Sequence, residues 1–261
     1  MPAREVPHLL ILGGTAEAAL LASAAVARFG SGLTVTTSLA GTTRTPKPIA
    51  GEVRVGGFGG ARGLATWLRA KQVDMVVDAT HPFARNISEN SFKATGAENC
   101  PALVFSRPSW QPKPGDLWRV VSDLDSAAAL LPEMAKRAFL SVGSQRLSAF
   151  VRLPSVHLVV RMIDLPAEPL SLMDHKVLLG RGPFDVDAER DLLQRERIDT
   201  VVSRNSGGAA TYAKIEAARD LKIPVVMVEP PVREAGESVE SLEGALRWIE
   251  TQVAARGGAD S

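Results

Sequence analysis

Apolar and polar positions along this chain fall into two alternating textures. Brief apolar runs at 8–12, 33–37, 53–55, 73–78 and 102–106, bounded by Gly and Pro, predict strands buried on both faces, and the stretches between them, 15–29, 62–71 and 83–97, predict helices. Such alternation builds βαβ units around a parallel sheet, and right-handed crossovers make a doubly wound layout the default. Three prolines and Trp110 interrupt the pattern at 107–115. It resumes with a strand at 117–121 and a helix at 123–131 capped by Asp123. Further strands are predicted at 139–142, 157–161, 176–179, 200–203 and 225–228, with helices at 188–197, 209–220 and 238–253. The expected fold class is therefore α/β: two Rossmann-like lobes with mostly parallel sheets. Their boundary is expected within 125–138, giving lobes of 1–130 and 131–261. No low-complexity linker marks it, and no repeat period points to a solenoid.

Composition narrows the class of protein more than its chemistry. A chain of 261 residues can bury the core of one large or two small domains, and 45% apolar with 23% charged residues is ordinary for a globular protein. A net charge of +1 gives no global attraction to nucleic acid or to a membrane surface, so anion recognition must rest on local basic positions. Cys100 is the single cysteine, which excludes an internal disulfide and fits a reducing compartment. The first apolar run is too short for a secretory or membrane-spanning segment, so a cytoplasmic location is expected.

The opening run stops at Gly13-Gly14-Thr15-Ala16-Glu17-Ala18. Against the dinucleotide fingerprint, Gly13 is the first glycine and Ala18 the final small residue, while Thr15 replaces the middle glycine. A helix starting here presents backbone N–H groups and the positive end of its dipole, which suits a pyrophosphate. Thr15 either meets that phosphate or simply caps the helix. The second strand ends in Thr36-Thr37-Ser38-Leu39-Ala40-Gly41-Thr42-Thr43-Arg44, and no Asp or Glu occurs between Arg28 and Gly51. An NAD site usually places a carboxylate there. Hydroxyls and an arginine favour a 2′-phosphate instead, hence NADP.

Asp78-Ala79-Thr80-His81-Pro82-Phe83-Ala84 leaves the strand at 73–78, where ligands of open α/β sheets sit, so Asp78, Thr80 and His81 are expected to face a site. Helix capping is the plainer role for Thr80 or His81. The Gly56–Gly60 loop implies either close approach to a ligand or mobility. Arg44, Arg85, Arg107, Arg146, Arg181 and Arg204 all fall on or near predicted strand ends, an arrangement suited to a polyanionic ligand. Metal-binding and hydrolase motifs are absent, and no metal is expected. Tyr212 and Lys214 lie two apart, which breaks the four-residue spacing of a short-chain dehydrogenase.

Taken together, segments 10–18, 37–41, 76–84, 106–110, 180–184 and 203–208 resemble the precorrin-6A reductase family, and the strings at 78–84 and 203–208 are the most specific. The resemblance covers about residues 8–230. It implies NADPH-dependent reduction of a ring double bond of precorrin-6A, to dihydro-precorrin-6, in corrin biosynthesis. One lobe would hold NADPH, and the other would close over a macrocycle bearing acetate and propionate arms. On that reading Gly13, Gly14 and Thr15 bind pyrophosphate, and Ser38, Thr42, Thr43 and Arg44 bind the 2′-phosphate. Thr80, His81 and Pro82 border the nicotinamide, with His81 as candidate proton donor. Arg107, Arg181, Arg204 and Asn205 grip carboxylates, with Ser144 and Gln145 beside them. The expected partner is a tetrapyrrole polycarboxylate, bound by a monomer or small homo-oligomer. A non-catalytic NADP sensor, and an NADP-binding reductase of a small carbonyl or nucleotide-sugar substrate, remain alternatives. Neither gives so many separated arginines a task.

Overall fold

The computed structural model describes residues 6–41, 48–166, 168–232 and 236–257. The chain runs through β1 (His8–Leu12), α1 (Ala16–Phe29), β2 (Thr34–Leu39), β3 (Glu52–Val55), α2 (Gly60–Lys71), β4 (Met75–Asp78), α3 (Arg85–Glu98) and β5 (Ala102–Phe105). It continues with β6 (Trp118–Val121), α4 (Leu124–Met134), β7 (Arg137–Ser141), a 3₁₀ segment (Ser144–Phe150), β8 (His157–Met162) and β9 (His175–Leu179). Then follow α5 (Val186–Arg195), β10 (Thr200–Arg204), α6 (Ala213–Asp220), β11 (Val225–Val228), β12 (Glu237–Val239) and α7 (Leu242–Gly257). No described helix is long and apolar enough to cross a membrane.

Two six-stranded sheets result, ordered β12-β5-β4-β1-β2-β3 and β6-β11-β10-β7-β8-β9, and every pairing is parallel. This is the predicted α/β class. The orders are equivalent: β1 and β7 each sit centrally, the next two strands build outward on one side, and β4 or β10 starts the other side. The chain thus reverses direction between β1 and β4 in one sheet and between β7 and β10 in the other. Such switch points open a crevice at the carboxyl ends of the strands.

The chain divides into unit 1, Met1–Arg107 with Val232–Ser261, and unit 2, Pro108–Pro231. This corrects the expected division at 130/131. β6 pairs with β11, so unit 2 starts before α4, and β12 pairs with β5, so the C-terminal segment returns to unit 1. The pattern concealed β12 because Glu237-Ser238-Val239 holds one apolar residue and was read as the start of the closing helix. That helix begins instead at Leu242 and packs Ala245, Leu246, Trp248 and Ile249 into a core shared with Leu21, Ala22 and Ala25 of α1.

Strand periodicity explains how β1 is buried on both faces. Leu9 and Ile11 join the core containing α1 and α7, whereas Leu10 and Leu12 point the opposite way into a core with Leu64 and Leu68 of α2 and Ala94 of α3. In unit 2, Phe139 of β7, Val159 of β8 and Val201 of β10 pack with Leu193 of α5 and Ile215 of α6. Both helices therefore start beside strand ends on this face.

Candidate functional site

The switch point of unit 1 is built by the turn after β1 and the loop after β4. Gly13 is a packing glycine: a Cβ there would lie 2.8 Å from Thr37 Cγ2, and its N–H donates to the Ser38 carbonyl at 2.9 Å. Gly14 has φ +106°, and a Cβ there would meet nothing within 4 Å. Its free face opens where a ligand backbone could approach. Thr15 caps α1, its Oγ accepting from Ala18 N–H at 3.1 Å, and donates to the Ala79 carbonyl at 2.7 Å across the crevice. Its hydroxyl thus holds the helix start against the end of β4 in the ligand-free protein. The first-turn N–H groups of Ala16 and Glu17 have no intrahelical acceptor, a geometry suited to an anion.

Arg107 is engaged in the ligand-free protein. Its guanidinium pairs with Glu17 at 2.7 Å. There it offsets the one acidic side chain in the first turn of α1.

Ser38 lies beside Gly13, whose N–H its carbonyl accepts, and its Oγ lies 3.4 Å from Arg54 Nη1. Arg54 lies over the Phe58 ring at 3.8 Å and donates to the carbonyls of Gly56 and Gly57. The glycine-rich loop is therefore wrapped around an arginine. Thr42, Thr43 and Arg44 lie outside the described residues.

In the β4–α3 loop, Asp78 is buried and accepts from Thr80 N–H at 3.0 Å and Thr80 Oγ at 2.6 Å. The Thr80 hydroxyl braces the turn through Asp78. His81 Nδ1 accepts from Phe83 N–H at 3.2 Å, so the proton of the neutral ring sits on Nε2. Pro82 is buried in the turn preceding α3, which starts at Arg85 rather than at the predicted 83.

Unit 2 places an arginine at its own switch point. Arg204, the last residue of β10, lies over the loop after β7: a Cβ on Gly143 would be 3.4 Å from Arg204 Nη2. Burial, then the like charge of Arg146, pushes this guanidinium down to about 10, and it stays charged at neutral pH. Arg161, near the end of β8, pairs with Glu189 in the first turn of α5 at 2.6 Å and lies over Phe184 at 4.0 Å. Lys214 of α6 is buried beside them, and burial pushes it down to about 7. Asn205 is not a free ligand. Its Oδ1 accepts from Trp110 N–H, and its Nδ2 donates to the Trp110 carbonyl and to Glu229, which pins the 110 segment to the end of β10. Arg181 is exposed in the β9–α5 loop, and the Ser144 and Gln145 side chains lie outside the described set.

The family model for the precorrin-6x reductases CbiJ/CobK matches residues 8–250. The chain belongs to the precorrin-6x reductase family. A precorrin-6A reductase from Rhodococcus erythropolis is 46% identical over 246 residues, covering 94% of this chain and 98% of its own. A protein of the same name from Rhodobacter capsulatus is 39% identical, covering 93% and 95%. The solved structure of a CobK precorrin-6A reductase superposes with a TM-score of 0.88 at 38% identity, covering 95% of this chain and 97% of that one.

For this member of the precorrin-6x reductase family, sequence reasoning singled out the loops after β1, β4, β7 and β10 but missed Arg54, Arg161, Glu189 and Lys214. Arg54 had a readable signal, a lone cation in a Val-Arg-Val strand just before the glycines. The buried trio had none, because 161, 189 and 214 lie on three separate elements.

Proposed function

We propose that this precorrin-6x reductase reduces one ring double bond of the cobalt-free ring precorrin-6A, using NADPH held by unit 1, and that unit 2 holds the ring's carboxylate arms. The observation that carries the cofactor reading is the end of β2, where Ser38 meets the Arg54 guanidinium in place of an acidic residue. The residues fit NADPH in two further respects. Ala16 and Glu17 offer N–H groups beside the open face of Gly14, and Arg107 neutralises Glu17. NADPH supplies the hydride when bound. The protein orients the reactants, a contribution worth roughly 7–11 kcal/mol in well-positioned reactions. Consumption of NADPH with precorrin-6A, and none with small ketones, is expected; the reverse pattern would favour a small-carbonyl reductase. Binding of NADPH with no consumption in either case would favour a sensor.

Arg44 and Arg54 are assigned to the 2′-phosphate. A hydrogen bond to a charged group is worth about 1.5–3 kcal/mol, or roughly 10–100-fold. Arg44→Ala and Arg54→Ala should each raise KM for NADPH by that factor and leave KM for NADH nearly unchanged. Equal weakening of both cofactors contradicts the assignment.

His81 is assigned to the nicotinamide edge as a neutral hydrogen-bond donor through Nε2. A general acid typically contributes about 10²–10⁴-fold. A neutral donor contributes less, so His81→Ala should lower kcat by about 10–100-fold at saturating NADPH. A larger loss that also removes an alkaline limb from the pH profile would return His81 to the role of proton donor.

A further inference from the structure

Unit 2 buries a lysine among other charges without giving it a carboxylate. Lys214 is 3% exposed; its Nζ donates to the Thr211 carbonyl at 2.6 Å, lies 5.0 Å from the Trp110 ring, and has no ion-pair partner among the described residues. Lysines are seldom buried to this degree unless paired. Charged groups face it from three elements: Glu189 of α5, Arg161 of β8 and Arg204 of β10. The first two are already paired with each other, and Arg161 Nη1 and Glu189 Oε2 remain buried without hydrogen-bond partners. Arg204 extends from this cluster to the switch-point loop, where Arg146 is exposed.

We propose that Lys214 is the proton-binding element of a carboxylate subsite at the β7/β10 switch point: an acidic arm of the substrate meets Arg204 and Arg146, and Lys214 Nζ takes up a proton from solvent as the arm arrives. This deepens the function proposed above and rests on it. The coupling is electrostatic. Arg161 and Arg204 disfavour a third cation, so in the ligand-free protein Lys214 is only partly charged near neutrality. An arm that neutralises Arg204 relieves this repulsion, and the newly charged lysine strengthens the hold on the arm. Lys214 acts through the field of Arg204, as a positioning group. The sign follows: ligand binding raises the lysine's pKa, so the added affinity is full below about 7 and fades as pH rises through the higher value of the complex.

Calorimetry of precorrin-6A binding to the protein–NADP⁺ complex, at about pH 7.5 in buffers of different ionisation enthalpy, reads the proton count. An opposite charge a few ångströms away shifts a pKa by about 1–3 units, so uptake of roughly half a proton or more is expected. Lys214→Met and Lys214→Arg should both abolish the uptake, and Lys214→Arg, permanently charged, should retain tight binding. Uptake that persists in both variants, or none in the unaltered protein, overturns the proposal. If precorrin-6A does not bind at all, the function above fails. The subsite is then decided by ¹³C-labelled lysine NMR, with uroporphyrin, a ring bearing only carboxylate arms, as probe. One lysine titrating near 7, absent in Lys214→Arg and moving upward with the probe, supports the subsite. A lysine that titrates normally or ignores the probe overturns it.

Discussion

Glu189→Ala should destabilise the protein by about 3–5 kcal/mol, the range for removing one partner of a buried ion pair. Both side chains of the Arg161–Glu189 pair are almost fully buried, and the guanidinium is enclosed by Phe139 at 4.7 Å and Phe184 at 4.0 Å. Without Glu189 the cation keeps its desolvation penalty and loses its counter-charge. The carboxylate also sits in the first turn of α5, where the helix dipole favours a negative charge. Urea unfolding of the two proteins measures the difference. The paired replacement Arg161→Met with Glu189→Leu should cost far less than Glu189→Ala alone, because both charges leave together. A loss below about 1 kcal/mol for Glu189→Ala would mean that water reaches Arg161.

The adjacent glycines of the first turn should separate binding from folding. Gly14→Ala places a methyl on the open face of the crevice and forces a non-glycine residue to φ +106°. Backbone strain of this kind costs about 1–3 kcal/mol, and a methyl in the phosphate cradle adds to it. NADPH affinity should fall by about 10–100-fold or more, read by fluorescence titration, while the thermal midpoint drops only by the strain. Gly13→Ala should behave oppositely. Its methyl would meet Thr37 Cγ2 at 2.8 Å, so the buried Thr37 side chain must turn or β1 and β2 must part, and stability falls before affinity is read. Equal NADPH affinity in Gly14→Ala and the unaltered protein would remove the pyrophosphate from this turn.

Much of the fold was legible because its signals are local. The runs at 8–12 and 225–228 match β1 and β11 residue for residue, since strands buried on both faces are apolar nearly throughout, buried His8 being bonded to Thr36. Thr15, Asp123 and Asp185 mark helix starts through their capping oxygens; the sequence places Asp123 there and offers capping as one of two roles for Thr15. Boundaries slipped where a loop carries helical composition: 209–212 forms turns ahead of α6. Site residues were harder to read. Strand ends revealed which positions line the crevices but not which side chains are already engaged. Asn205, Arg107, Thr15 and Thr80 each have the right chemistry for a ligand and spend it within the fold, on partners 95, 90, 64 and 2 residues away. Only the last of those pairings could be seen locally.

The return of β12 to the first sheet sets an order of manufacture. A ribosome releases all of unit 2 before it reaches the strand that completes unit 1. Unit 1 therefore begins first and finishes last, with the edge of β5 bare in the meantime, and unpaired edges of that sort invite mispairing. A message cut short after Pro231 would yield a complete second lobe tethered to an incomplete first one.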